Sequence, residues 1–138
     1  LCMMEPSPIA VEVSRISIEP GGLCPLDAEL RLSVDFAIDS DLAAAHWELR
    51  YVADHAHRRH VLDLGSTPPS PLAKGTHTLE HAVKDFGVSG LSKAVVLNVG
   101  LLLLTLFDGP RELLQISMVV QVLEQDEAIL RLVLNPME

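Results

Sequence analysis

The densest run of chemically capable side chains is His55-Ala56-His57-Arg58-Arg59-His60, with three imidazoles in six positions. Imidazole nitrogens are common ligands for zinc and copper, so the run could be a metal tract. Two arginines lie inside it, and their charge repels a cation. Neither cysteine is near. The run also falls between two strand-like segments, at a hairpin tip. Side chains there are solvated, whereas metal ligands need fixed geometry and an outer shell of support. The tract therefore reads as a solvated tip. His77 and His81 flank Glu80. Four residues apart on a strand, they share a face but stand well separated, and they read as surface histidines with local partners.

Other catalytic chemistries are no better supplied. Carboxylates are frequent, but Asp39, Asp41, Asp108, Glu124, Asp126 and Glu127 all lie in turn-like segments. Acid–base work needs two of them to converge in a pocket. Ser92 and Ser117 have no recognisable activating partner. The chain contains no GxSxG, HExxH, Walker A or GxGxxG pattern. The expectation is a protein that is not an enzyme and holds no cofactor and no metal.

The formal net charge is -9. Phosphate backbones require clustered Lys and Arg, so direct nucleic-acid binding is not expected. A basic protein partner would suit the charge, as would solubility alone. The two cysteines, Cys2 and Cys24, form no CxxC pair and no disulfide framework. That composition suits a reducing, intracellular compartment, nucleus or cytoplasm. Leu1-Cys2-Met3-Met4-Glu5 carries no basic n-region and no apolar signal core. The first residue is not Met, which reads as a processed chain or a piece of a longer one. The longest apolar stretch, Val95 to Phe107, is interrupted by Asn98, Gly100 and Thr105 and is too short to cross a bilayer as a helix, so no membrane partner is expected.

Any site would have to be positioned by strands. Between Glu29 and Asp39, Leu30, Leu32, Val34, Phe36 and Ile38 alternate with Arg31, Ser33, Asp35 and Ala37, the period of a half-buried strand. Ile9, Val11 and Val13 begin an earlier strand. Its phase slips at Ser14-Arg15 and resumes with Ile16 and Ile18, which predicts a β-bulge. Trp47, Leu49 and Tyr51 mark a third strand, with Val61 to Leu64 returning from the polar tip. Ser66 to Pro71 holds three prolines and is expected to be a loop. Thr76 to Val83 is a short strand. Asp85 to Lys93, with Gly87 and Gly90, reads as a crossover with one helical turn. Ala94 to Phe107, apolar on both faces, reads as a central strand. A tight Asp108-Gly109-Pro110 turn leads to a return strand. Leu114, Ile116, Met118, Val120 and Val122 form its inner row, and Leu113, Gln115, Ser117, Val119 and Gln121 its outer row. After the polar turn at Glu124 to Glu127, Ile129 to Leu134 reads as a last strand or a helical turn. The fold class is thus all-β: an elongated immunoglobulin-like β-sandwich of seven or eight strands with one short helical crossover. One domain covers residues 1–138, with its core in 9–122 and a short C-terminal segment in 123–138.

The order of these pieces resembles the anti-silencing-function histone chaperones, which bind the histone H3–H4 dimer. The resemblance rests on Trp47-Glu48-Leu49-Arg50-Tyr51-Val52, then Val61-Leu62-Asp63, a Pro-containing loop and Lys74-Gly75-Thr76-His77. The long apolar strand, Asp108-Gly109 and Glu112-Leu113-Leu114 follow in the family's order. The resemblance implies an immunoglobulin-like sandwich and a histone-binding face. The departures fall on that face. Gln115 stands where the family has Arg, Met118-Val119 where it has aromatics, Gly100 where it has an exposed Val, and Arg59 where it has an acidic residue. Ala43-Ala44-Ala45 replaces an acidic pair, and no counterpart of the family's last strand is expected before Glu138. Losing the Arg and the acid removes the charge-assisted anchors such an interface uses.

The candidate partner-binding residues are therefore Gly100, Leu102, Leu104, Leu113, Gln115 and Val119, forming an apolar outer face. The expected function is a non-catalytic protein–protein interaction module whose binding face has been rebuilt for another protein, with the chain itself a monomer or weak oligomer. A divergent H3–H4 chaperone is the alternative, and a carrier of small apolar ligands is a second alternative.

Overall fold

The computed structural model describes residues 9–55, 58–84, 93–97 and 99–137. Two antiparallel sheets face one another across a core of Leu, Val and Ile. The smaller sheet has the order β1-β3-β7, formed by β1 (Val11–Glu19), β3 (Leu30–Ile38) and β7 (Gly75–Val83). The larger runs β2-β10-β9-β8-β4-β5, from β2 (Cys24–Pro25), β10 (Ala128–Val133), β9 (Arg111–Gln125), β8 (Gly100–Asp108), β4 (Leu42–His55) and β5 (Arg58–Ser66), with β6 (Ser70–Leu72) also paired to β4. The all-β sandwich is as expected. It has ten strands among the described residues, more than the seven or eight predicted.

Alternation decides which side each strand buries. In β3, Leu30, Leu32, Val34, Phe36 and Ile38 are all buried while the residues between them are not. The phase slip in β1 is a bulge: the register against β3 shifts between Val13 and Arg15. Phe36 and Trp47, from opposite sheets, meet edge to face at 5.2 Å, an arrangement aromatic rings favour.

Two expectations need correction, and one left open is settled. Ser66 to Pro71 is not all loop, because Ser70–Leu72 forms β6. The pairs with β4 fall at Ser70 and Leu72, so Pro71 sits between ladder positions on an edge strand, where its missing N–H costs nothing. The apolar segment from Ala94 is not one strand: Lys93–Val96 is a short helix, α1, and β8 begins only at Gly100. Val95 and Val96 are buried in the core, so a helical turn used the apolar residues that looked like strand. The rest of the predicted crossover, 85–92, lies outside the described residues. Ile129 to Leu134 resolves to strand β10, reached by a tight turn in which Asp126 and Glu127 both have left-handed φ, 51° and 67°. That geometry matches strand twist in a two-residue hairpin.

Polar bridges fasten the strands to one another and to their connections. The His77 ring donates from Nε2 to the Ala73 carbonyl at 2.6 Å, and that of His81 donates to the Leu64 carbonyl at 3.3 Å. On the other side Asn135 Nδ2 donates to the Ile16 carbonyl at 2.6 Å. The largest bridge is Arg131, 1% exposed. Its guanidinium donates to the carbonyls of Pro25, Leu26, Ala28 and Glu29.

Tyr51 is the single tyrosine of the chain and is buried in the core. Burial pushes its phenol above the ordinary value of 10.0, because the phenolate would lose its hydration. A raised folded-state pKa contributes stability below the ordinary value and loses it as pH rises through the folded value. The native chain should therefore show less phenolate absorbance than free tyrosine at a pH where free tyrosine is half ionised. The absorbance should appear together with alkaline unfolding, and Tyr51→Phe should flatten that part of the stability–pH curve. A folded chain whose phenol ionises at or below the ordinary value would contradict the assignment.

Candidate functional site

The imidazole tract does not assemble into a described site. His57 lies outside the described residues, as does the side chain of His55, and His60 is half-buried on β5. Among the described residues no group of three or more His, Cys, Asp and Glu is placed to hold a metal ion. The turn carboxylates brace turns. Asp39 accepts from the Ala10 amide at 2.9 Å, Asp41 from Lys74 at 2.7 Å and Asp108 from Ala44 at 3.0 Å. Cys24 is a half-buried free thiol on β2. A groove of about 460 Å³ lies on the outer side of the three-stranded sheet, lined by Arg15, Ser17, Arg31, Asp35, Glu80 and His81 among others. Its walls are mostly charged and polar, unlike the apolar lining of a small-molecule pocket.

The outer face of the seven-stranded sheet is different. Cross-strand register aligns Val61 with Val52, Val52 with Leu101, and Leu101 with Val119. The Leu134 amide donates to the Val119 carbonyl at 2.8 Å, which adds Leu134 to the row. Five apolar side chains thus cross five neighbouring strands in one line. Val61 is 50% exposed, Leu101 38%, Val119 36% and Leu134 40%. Val52 is buried between its neighbours yet stands outside the core cluster, as expected on this face. Residues directly opposite on adjacent strands have Cβ atoms about 4.5–5.5 Å apart, so the row is a continuous apolar ridge.

Charged rows flank it. On one side Asp63 pairs with Arg50, Arg50 with Leu103 and Leu103 with Ser117. On the other, Arg59 pairs with Asp54, and Gln121 with Leu132. Val99, next to Gly100 in the chain and 64% exposed, belongs to that second row. Arg59 Nε lies 3.3 Å from Asp54 and Arg50 3.6 Å from Glu48, in solvent-exposed pairs of small intrinsic worth. At the far end of the face His46 stacks on Phe107 at 5.1 Å and 10°.

The predicted site residues divide. Val119 is exposed in the ridge, and Gln115 is exposed on the same face, where its Nε2 donates to Thr105 at 3.4 Å. Leu102 and Leu104, expected on the outer face, are buried in the core at 0% and 1%. Gly100 is buried and shares their inward phase. Leu113 falls where the β8–β9 register shifts, so it leaves the outer row and packs half-buried against the core. The strand β8 was read one residue out of phase. Its run Leu101-Leu102-Leu103-Leu104 is apolar on both sides and offers no polar residue to mark the outside. The residues missed were Leu101, Leu103, Val52 and Val61. Val61 and Val52 were legible, since they alternate with the inward Tyr51 and Leu62.

No family model matches the chain, and no curated protein matches it.

Proposed function

We propose that this chain is a non-catalytic protein-binding module that presents the outer face of the seven-stranded sheet to a protein partner. One observation carries the reading: the unbroken ridge of Val61, Val52, Leu101, Val119 and Leu134 on a sheet face that nothing among the described residues covers. Contiguous exposed apolar surface on a folded domain marks interaction sites. A ridge with a charged rim also has the anatomy of an interface, apolar at the centre and polar at the border.

The face is not acidic, despite the net charge of -9. Arg50 and Arg59 stand beside Glu48, Asp54 and Asp63, so its charge is nearly balanced. A polybasic partner would meet two cations among these five charges. This favours a rebuilt interface over the divergent histone H3–H4 chaperone that the sequence resemblance suggests, which remains the alternative.

Two measurements test the reading. Photo-crosslinkers placed at Gln115, on the ridge side, and at Ser33, on the opposite sheet, should differ. Capture at position 115 should be lost in Leu101→Asp, and position 33 should show no such dependence. Equal capture from both faces, indifferent to Leu101, would sink the proposal. Calorimetry with purified H3–H4 decides the alternative: tight binding that weakens at least about tenfold in Leu101→Asp, the scale of one lost anchor, would restore the chaperone reading.

A further inference from the structure

We infer that the ridge pairs with the same ridge of a second copy of this chain, about a two-fold axis lying along the Val61–Val52–Leu101–Val119–Leu134 row. The inference rests on the reading of this face as a protein-binding surface and names its partner.

The argument is one of symmetry and charge. Two sheets that pack face to face keep their strands roughly aligned, about 10 Å apart. A two-fold axis that brings one face onto its own copy must lie in the plane between them. Two such axes keep the strands aligned, one along the strands and one across them. Both lay the apolar row on itself. They differ in what happens to the flanking rows.

An axis along the strands exchanges β5 with β10. Arg59 then faces Leu132 of the second copy, Asp54 faces Gln121 and Arg50 faces Ser117. Charges meet neutral groups and lose hydration for nothing. An axis along the ridge instead exchanges the two flanking rows. Asp63 then faces Arg59 of the second copy, and Arg50 faces its Asp54. Leu103 faces Val99, and Ser117 faces Gln121. On β5, β4, β8 and β9 each of these positions meets its complement: anion with cation, apolar with apolar, polar with polar. Symmetry doubles each encounter, so four opposite-charge contacts frame the ridge. Closed two-fold pairing with self-complementary patches is the commonest form of oligomer. The alternation Asp63, Val61, Arg59 on β5 against Arg50, Val52, Asp54 on β4 inverts the charge sign across the ridge on both strands. That inversion sets opposite charges side by side within one copy, as in the Arg59–Asp54 pair, and, after exchange of rows, face to face between two.

Sedimentation equilibrium of the 138-residue chain tests this, from ~1 to ~200 µM so that weak pairing is visible. The 15.0 kDa chain should sediment at twice that mass. Leu101→Asp should return it to one copy while Trp47 fluorescence stays native. Asp63→Arg alone and Arg59→Asp alone should each weaken pairing about tenfold or more, because each turns two attractions into two repulsions. An equimolar mixture of those two variants should pair as tightly as the original chain, since each new charge then meets its complement. A purely structural role for these side chains would not produce that recovery. Wild-type chain that stays at 15.0 kDa throughout overturns the inference. So does a dimer indifferent to Leu101→Asp, or a mixture that fails to recover. If the chain is monomeric but crosslinking still depends on Leu101, the second copy is excluded and the binding face stands. Loss of both removes the face as well.

Discussion

Replacing Arg131 with Met should lower the unfolding free energy by about 3–4 kcal/mol, the range expected when one side of a buried, hydrogen-bonded charge site is removed. The side chain is 1% exposed. It is held by four backbone carbonyls, with the shortest bonds at 2.6 Å to Leu26 and 2.7 Å to Ala28. Burial pulls the guanidinium pKa below its ordinary value, while Cys24 and Asp27 nearby oppose that shift. Arginine holds its proton so strongly that it stays charged at neutral pH. Met has similar length and fits an apolar slot, so the change tests the bonds more than the volume. What it leaves behind is a loop at residues 25–29 whose carbonyls lose the guanidinium; that of Pro25 keeps the Ala28 amide, while that of buried Leu26 loses its 2.6 Å bond. Each such group costs about 1–3 kcal/mol if water cannot reach it. Some water will enter, which keeps the total near the lower sum. Arg131→Lys should recover part of the loss, since one ammonium cannot span four acceptors. Chemical denaturation followed by Trp47 fluorescence measures both. Hydrogen exchange adds a local readout: the Leu26 amide, bonded to the Ile129 carbonyl at 3.0 Å, should lose protection first. A loss below about 1 kcal/mol, typical of a surface change, would show that the bridge is not what fastens β2 and the loop to β10.

Arg131 also shows where reading a sequence stops. In Ile129-Leu130-Arg131-Leu132-Val133 it looks like the polar residue of an alternating strand, hence outward. Its row is in fact the inner one, shared with Val122 and Val133. The carbonyls that make the position habitable come from a segment more than a hundred residues away, and no local pattern announces them. By contrast β3 was legible residue by residue, because its outward positions are polar and its inward ones are not. The inner row of β9 was legible for the same reason, and so was the bulge in β1, where alternation itself carries the slip. The candidate face was half legible. Val119 and Gln115 follow from the β9 phase, which Gln121 and Ser117 fix. Strand β8 supplies no such marker, and its phase came out inverted. The error moved the candidate residues into the core on that strand, while on β9 Gln115 and Val119 fall on the outer face and Leu113 does not.

Gly100→Ala should cost about 3 kcal/mol, at the upper end of what overpacking a core produces. On the sequence alone Gly100 stands where the resembling family has an exposed Val, as if a binding contact had been trimmed. The structure gives the glycine a different reason. Gly100 faces inward, and the space a Cβ would occupy is filled by the phenol ring of Tyr51, atoms Oη, Cζ and Cε1. Its backbone has no left-handed φ, so room rather than conformation requires glycine here. Added to a strand, a methyl group would otherwise be favourable by about 0.5–1 kcal/mol, because glycine loses the most freedom on folding. The clash must exceed that gain. Tyr51 cannot swing aside cheaply, since it is 1% exposed and belongs to the packed core. Tyr51→Phe should not relieve the overlap, because the ring carbons meet the methyl as well as the hydroxyl does. Tyr51→Val should. The two sites should therefore be strongly non-additive, with a coupling of about 2 kcal/mol, within the range for residues in direct contact. In the Tyr51→Val background Gly100→Ala should be close to neutral or stabilising. Denaturation curves of the four proteins in that cycle decide the matter, with Trp47 as the reporter in each. Additive losses would mean that glycine serves the backbone at this position and not the ring beside it.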